Sequence, residues 1–185
     1  MAVSAMSAGM ITAVAVTPPS TGVSPFFVRV AQLVLAGGAA YLIDDGASAV
    51  TAAVPRSFWR RRAAALWWGV GAMSASWAGI VALVRSQSAG FPMLALTLEV
   101  AVLCMLGFAA AAVLRWRGDP EPGSIVAPAV MLLGLAALIG EHVLRIAIFV
   151  FHGGVVDTSR ETAWVGAGLL SLLVILGAAR DPAHR

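Results

Sequence analysis

Glu99 is the residue with the clearest chemical potential in this sequence. It stands as the single acid in the apolar run from Phe91 to Leu114. An ionisable side chain inside hydrocarbon is costly, so a functional role is the default hypothesis for it. Glu99 could line a substrate path or carry a proton, and it could equally make a structural hydrogen bond or ion pair between helices. Arg29, near the start of another apolar run, is a possible partner for it. Arg29 also lies close enough to the end of its run to snorkel to lipid headgroups. A second polar group comprises Glu141, His142, Arg145 and His152. Histidines are common metal ligands, but His142 and His152 are ten residues apart and read as solvated residues at a helix end. Glu141 and Arg145 are four apart, in the favourable order for a pair along one helix.

Several reaction classes are excluded by composition. All 12 basic Lys/Arg residues are arginine. A Walker A loop and a Schiff-base site both need lysine, so neither can be built here. No His-Glu-x-x-His or Gly-x-Ser-x-Gly pattern is present, and no enzyme activity is expected. Cys104 is the sole cysteine, which precludes an intramolecular disulfide or a thiolate cluster, and it reads as a small buried hydrophobe. No cofactor and no metal is expected. The formal charge of +3 does not call for nucleic acid, because the arginines cluster at the ends of apolar runs.

Those residues must be positioned by membrane elements. Of 185 residues, 60% are hydrophobic and only 11% charged, with a mean hydropathy of +0.91. Soluble domains carry roughly 25% charged residues. The expectation is an all-α, polytopic transmembrane helix bundle of about five spans, forming a single domain over residues 25–185. Residues 1–24 are read as a flexible or interfacial extension. Their apolar part, Met1 to Val16, is short for a span and lacks the basic start of a signal peptide.

The spans expected are Pro25 to Ile43, Ala63 to Val84, Phe91 to Leu114, Ser124 to Ile139 (continuing through Arg145), and Thr162 to Ala179. The second presents Gly69, Gly71, Ala72, Ser74, Ala75, Ser76, Ala78 and Gly79, which marks it for helix packing. Ile146 to Phe151 is too short to cross again, and could lengthen the fourth helix or lie along the interface. Thr158-Ser159-Arg160-Glu161 fits a capping box opening the last helix. With five spans, eight arginines fall on one side (Arg56, Arg60, Arg61, Arg62, Arg115, Arg117, Arg180 and Arg185). Arg85, Arg145, Arg160 and Arg29 fall on the other. The positive-inside rule then puts the N-terminus outside and the C-terminus in the cytoplasm of a cell whose plasma membrane the chain crosses.

Between the first two spans lies a distinct block, residues 44–62. Asp44 or Asp45 can cap a short helix over Gly46 to Val54, Pro55 stops it, and Ser57 can cap the second span. Arg60, Arg61 and Arg62 anchor the membrane boundary and can bind anionic headgroups.

An apolar span ending Gly-Gly-Ala-Ala-Tyr-Leu-Ile-Asp-Asp at 37–45 precedes Thr-Ala-Ala-Val-Pro-Arg-Ser at 51–57 and Trp-Arg-Arg-Arg at 59–62. Together with Arg-Trp-Arg-Gly-Asp-Pro-Glu-Pro-Gly at 115–123 and the ending Ala-Ala-Arg-Asp-Pro-Ala-His-Arg, it resembles small actinobacterial membrane proteins related to ABC-type exporter permeases. The resemblance runs from about Phe26 to the C-terminus, and the Asp-Asp…Pro…Arg-Arg block is its distinctive part. It implies an integral membrane subunit energised by a separate ATPase, with Asp44, Asp45, Thr51 and Pro55 as docking residues. It further implies membrane lipid and a homo- or hetero-oligomer as partners. Such permeases usually have six spans and a longer chain, against five counted here. A structural or assembly subunit of another membrane complex is the alternative expectation.

Overall fold

The computed structural model describes residues 25–44, 58–87, 92–144, 148–152 and 155–178. Five helices account for nearly all of them: α1 (Pro25–Tyr41), α2 (Phe58–Gln87), α3 (Met93–Trp116), α4 (Gly123–Leu144) and α5 (Thr158–Ala178). Before α5 the chain forms a minimal antiparallel hairpin of two residues a side, β1 (Phe151–His152) and β2 (Val155–Val156). The all-helical architecture read from the apolar runs is therefore present. Four of the helices, α2 to α5, are long and apolar enough to cross a membrane, and α1 is a shorter apolar helix.

The shortest helix is the most enclosed. From Val28 to Ile43, α1 buries Val28, Ala31, Leu35, Ala36, Ala39 and Ala40 among others, and so has no single exposed stripe. A helix apolar all round and buried all round is a core helix. It packs between α3 and α4, and α5 lies against the far side of α3. Its last turn tightens, with Leu42, Ile43 and Asp44 N–H groups donating to the carbonyls three residues back.

Neighbour pairs fix the directions. Along α1, Arg29 meets Glu141, Gly37 meets Ala127 and Met131, and Asp44 meets Gly123, so α1 and α4 are antiparallel. Gln32 meets Leu96 and Ala36 meets Gly107, so α1 and α3 are parallel. Gly69 lies at Leu42, and Val84 shares a core cluster with Val28, which makes α2 antiparallel to α1. Trp164 shares a cluster with Leu103, and Ala178 shares one with Ala111 and Leu114, so α5 runs with α3. The bundle therefore has an Asp44 end, holding the start of α2, the α3–α4 turn and the end of α5. It also has a Glu141 end, holding the start of α1 and the hairpin.

Exposure is inverted relative to a water-soluble bundle. Leu133 is 73% exposed, Leu132 69% and Leu173 65%, while the charged Glu99 is 0% exposed. Contiguous apolar surface on this scale needs a hydrocarbon solvent. Tyr41, Trp67, Trp68 and Trp116 are all exposed near the Asp44 end, the position of an interfacial aromatic belt.

Candidate functional site

Two features stand out inside this bundle, a polar group in its core and an apolar cleft beside it. The polar group is built by three helices. Arg29 on α1 is only 8% exposed and forms a buried ion pair with Glu141 on α4, which is 5% exposed. The Arg29 guanidinium carbon also sits 4.2 Å from the ring centroid of Phe149, a distance that suits a cation–π contact. Phe149 in turn stacks on Trp164 at 5.9 Å, and the Trp164 indole N–H donates to the Ile148 carbonyl at 3.2 Å. One turn further along α1, Gln32 is fully buried and its amide donates to the Leu96 carbonyl at 2.9 Å. Leu96 lies one turn before Glu99 on α3, and Glu99 is fully buried at the same level of the bundle.

Three expectations are corrected by this arrangement. Arg29 does not snorkel, because its guanidinium turns inward to Glu141 and Phe149. Glu141, read as a partner for Arg145 along its own helix, turns a buried carboxylate to Arg29, which it matches in height because α1 and α4 are antiparallel. The described part of the segment after α4, from Ile148 on, is not helical and folds back onto the bundle instead of lengthening that helix. Helix α4 ends at Leu144, and Phe149 and Val150 are buried against the bundle. Glu99 is buried in the bundle, as expected of an intramembrane acid. Gln32, Glu141 and Phe149 join the polar group without a motif that marks them. The available signal is positional, since Arg29 near the start of one span and Glu141 near the end of an antiparallel one fall at one height.

Asp44 has a role at the opposite end. Its carboxylate accepts the Gly123 N–H at 2.6 Å, so it caps α4 from across the bundle. A carboxylate at a helix N-terminus satisfies an orphan donor and suits the helix dipole. A Cβ on Gly123 would lie 2.7 Å from the same carboxylate and 2.9 Å from the Tyr41 Cα, which accounts for glycine there. Asp45, Thr51, Pro55 and the expected helix over 46–54 lie outside the described residues. Arg60, Arg61 and Arg62 fall in the first turn and a half of α2, which begins at Phe58, earlier than the expected Ala63. The cap of α5 also differs from expectation. Asp157, one residue ahead of Thr158, accepts the Ser159 N–H at 2.9 Å and its hydroxyl at 2.6 Å. The hydroxyl bond, with the Ser159 N–H and Arg160 beside it, holds the Asp157 carboxyl below the usual carboxylate range.

The second feature is a cleft of about 650 Å³ between α2 and the α1–α3 pair. Leu35 and Leu42 on α1, Val70 and Val81 on α2, and Val100 and Phe108 on α3 mark its extent. Ligand sites usually span ~300–1,000 Å³. Two of its polar wall groups are engaged with each other, the Trp77 indole donating to the Thr97 hydroxyl at 3.2 Å and that hydroxyl to the Met93 carbonyl at 2.7 Å, and Ser74 adds a further hydroxyl to the wall. The small residues of α2 are used only in part: Gly69 packs on Leu42, where an added Cβ would clash. Gly71, Ala72, Ala75 and Gly79 are exposed, and a Cβ on Gly71 or Gly79 would meet nothing within 4 Å. A close helix approach also occurs at Gly107 of α3, where a Cβ would lie 2.6 Å from the Ala36 carbonyl oxygen. Among the described residues, no three His, Cys, Asp or Glu side chains gather so as to hold a metal ion.

No protein-family model, curated protein or solved structure matches this chain. The class rests on the fold itself. Four membrane-length apolar helices around a buried polar core define a multi-pass membrane protein.

Proposed function

We propose that the chain is a non-catalytic membrane subunit of an ABC-type transporter in the plasma membrane, energised by a separate ATPase. The observation that carries this reading is the placement of α2. It follows directly on the 44–57 segment, and it packs on the bundle from one side while walling the cleft. The remaining helices are tied together by the Arg29–Glu141 pair, the Asp44 cap and the close approach at Gly107. A force applied to residues 45–55 would therefore be taken up by α2 and change the cleft against the frame of α1, α3 and α4. Asp44, Asp45, Thr51 and Pro55 are the proposed docking residues. The ATPase is a separate chain, because this one has no lysine from which to build a Walker A loop.

Co-purification tests the reading. At native expression in mild detergent, an ATP-binding subunit should be recovered with the protein. Shuffling residues 45–55 while keeping the arginines should leave insertion intact and lose that subunit. If the intact protein brings down no ATPase, the reading fails.

A structural or assembly role in another membrane complex is favoured by a separate observation, the exposed small-residue face of α2. Such faces allow close helix association in a bilayer. Replacing Glu99 with Gln and then with Leu discriminates between the two. Unchanged transport with intact assembly would favour the structural role.

A further inference from the structure

We propose that the cleft between α2 and the α1–α3 pair is a binding site for the hydrocarbon chain of an anionic membrane lipid, whose headgroup is held at the arginine run Arg60–Arg62. The inference goes beyond the transport reading and stands without it. Three observations meet here. The first is the chemistry of the walls, which are predominantly apolar, with the Ser74 hydroxyl beside the hydrogen-bonded Trp77–Thr97 pair, so a hydrocarbon chain is better accommodated than a polar ligand.

The second is dimension. Val70 to Val81 on α2 and Thr97 to Phe108 on α3 bound the cleft, each a stretch of eleven residues' rise, or ~16 Å along the helix axis. The hydrocarbon core of a bilayer is ~30 Å thick, so this length is about that of one leaflet's chains, and on α2 it starts four residues inside Leu66 and continues past the middle of the span. The third is charge at the mouth. The membrane-length part of α2 begins at Leu66, with the exposed Trp67 and Trp68 marking the interface. Arg62 precedes Val70 by eight residues, ~12 Å on the helix. Three consecutive arginines therefore stand at headgroup height on the helix that forms the cleft wall. Anionic headgroups are attracted to basic runs in this position.

Other occupants fit less well. Residues 1–24 carry no charge and join the bundle at Pro25, the Glu141 end, away from the arginines. A second copy of this chain would bring its own arginine run to the same basic mouth.

The test uses the full chain in liposomes containing equal phosphatidylglycerol and phosphatidylcholine, then extracted in mild detergent and weighed by native mass spectrometry. One phosphatidylglycerol per chain is expected to persist. Ala101→Phe, which fills the cleft, should weaken that retention by ~10-fold or more. Replacing Arg60, Arg61 and Arg62 together by Gln should abolish the preference for the anionic lipid. A measurement on the unaltered sequence guards against misfolding of the variants: Cys104, the sole cysteine, lines the cleft. Its alkylation should slow ~10-fold on adding phosphatidylglycerol but not phosphatidylcholine. Equal retention of both lipids, an Ala101→Phe protein that keeps its lipid, or alkylation indifferent to lipid would each overturn the proposal. So would lipid binding that appears only after residues 1–24 are deleted, or a cleft protected only in a dimer. Lipid retained with no ATPase recovered overturns the transport reading alone.

Discussion

Arg29 and Glu141 are 112 positions apart in sequence and meet in the interior of the bundle. Taking both charges out of water is expensive, and their attraction offsets that cost only while both remain. Glu141→Gln should therefore destabilise the protein by ~3–5 kcal/mol, because it takes the α4 counter-charge away from a buried guanidinium. The double replacement Arg29→Met with Glu141→Leu removes both charges and should recover most of that loss. Thermal unfolding in detergent of the two singles and the double measures this, and equal destabilisation by all three would show that the pair is not what holds α1 to α4. Asp157 makes a second prediction, this one outside the membrane span. Its carboxyl is held below the ordinary value of 3.8, first by the Ser159 hydroxyl. The folded state thus binds this proton less tightly than the unfolded state. The cap's contribution is fully present above the ordinary carboxylate value and is lost as pH falls through the lowered folded value. Amide exchange at Ser159 and Arg160 should accelerate on acidification through that window, and Asp157→Asn should remove the pH dependence.

Among the helices, one substitution type should act with opposite signs at two places. At Gly107 an added Cβ meets the Ala36 backbone oxygen, which cannot rotate away, so Gly107→Ala should push α3 from α1 and cost ~1–3 kcal/mol. At Gly79 an added Cβ meets nothing, so Gly79→Ala should stabilise α2 by ~0.5–1 kcal/mol through reduced backbone entropy in the unfolded chain. Melting temperatures of the two variants decide it, and a loss at Gly79 would mean that another chain packs there. The same contrast separates what is legible in the residues from what is not. Helix existence is legible, because long apolar runs broken by Arg, Pro and Gly, in a chain this hydrophobic, fit little besides membrane helices. Which face packs is not, because a helix apolar on every side has no periodicity to read. Gly71, Ala72, Ala75 and Gly79 of α2 have the spacing of a packing face and are exposed, while tight contacts fall at Gly69 of the same helix and at Gly107 of α3. The α4 cap at Asp44 is hidden from the sequence for a related reason. Its sequence neighbours suggest a local cap, but its partner Gly123 is 79 residues away.

For the molecule as a whole, the alternating helix directions gather the start of α2, the α3–α4 turn and the end of α5 at the Asp44 end. Arg60, Arg61, Arg62, Arg115 and Arg117 belong to those elements, and Arg56, Arg180 and Arg185 adjoin them in sequence. The exposed Tyr41, Trp67, Trp68 and Trp116 mark a membrane boundary at that end. Arginine bias within short loops sets orientation in the membrane, so the Asp44 end should be cytoplasmic. Cys104 lies within α3 and is partly buried, so single cysteines placed in the loops can be compared against a nearly silent background. Ser88→Cys should react with a membrane-impermeant thiol reagent on intact cells, and Ala183→Cys only after permeabilisation. The reverse pattern would move the docking segment outside and remove the ATPase from consideration. The same rule predicts how the orientation can be weakened. Replacing Arg60, Arg61 and Arg62 by Gln lowers the count at the Asp44 end from eight arginines to five, against four at the other end. With the bias nearly gone, a mixed population should insert, and both Ser88→Cys and Ala183→Cys should label on intact cells. A population that keeps one orientation would show that something other than the arginine run directs insertion, leaving headgroup binding as that run's remaining role.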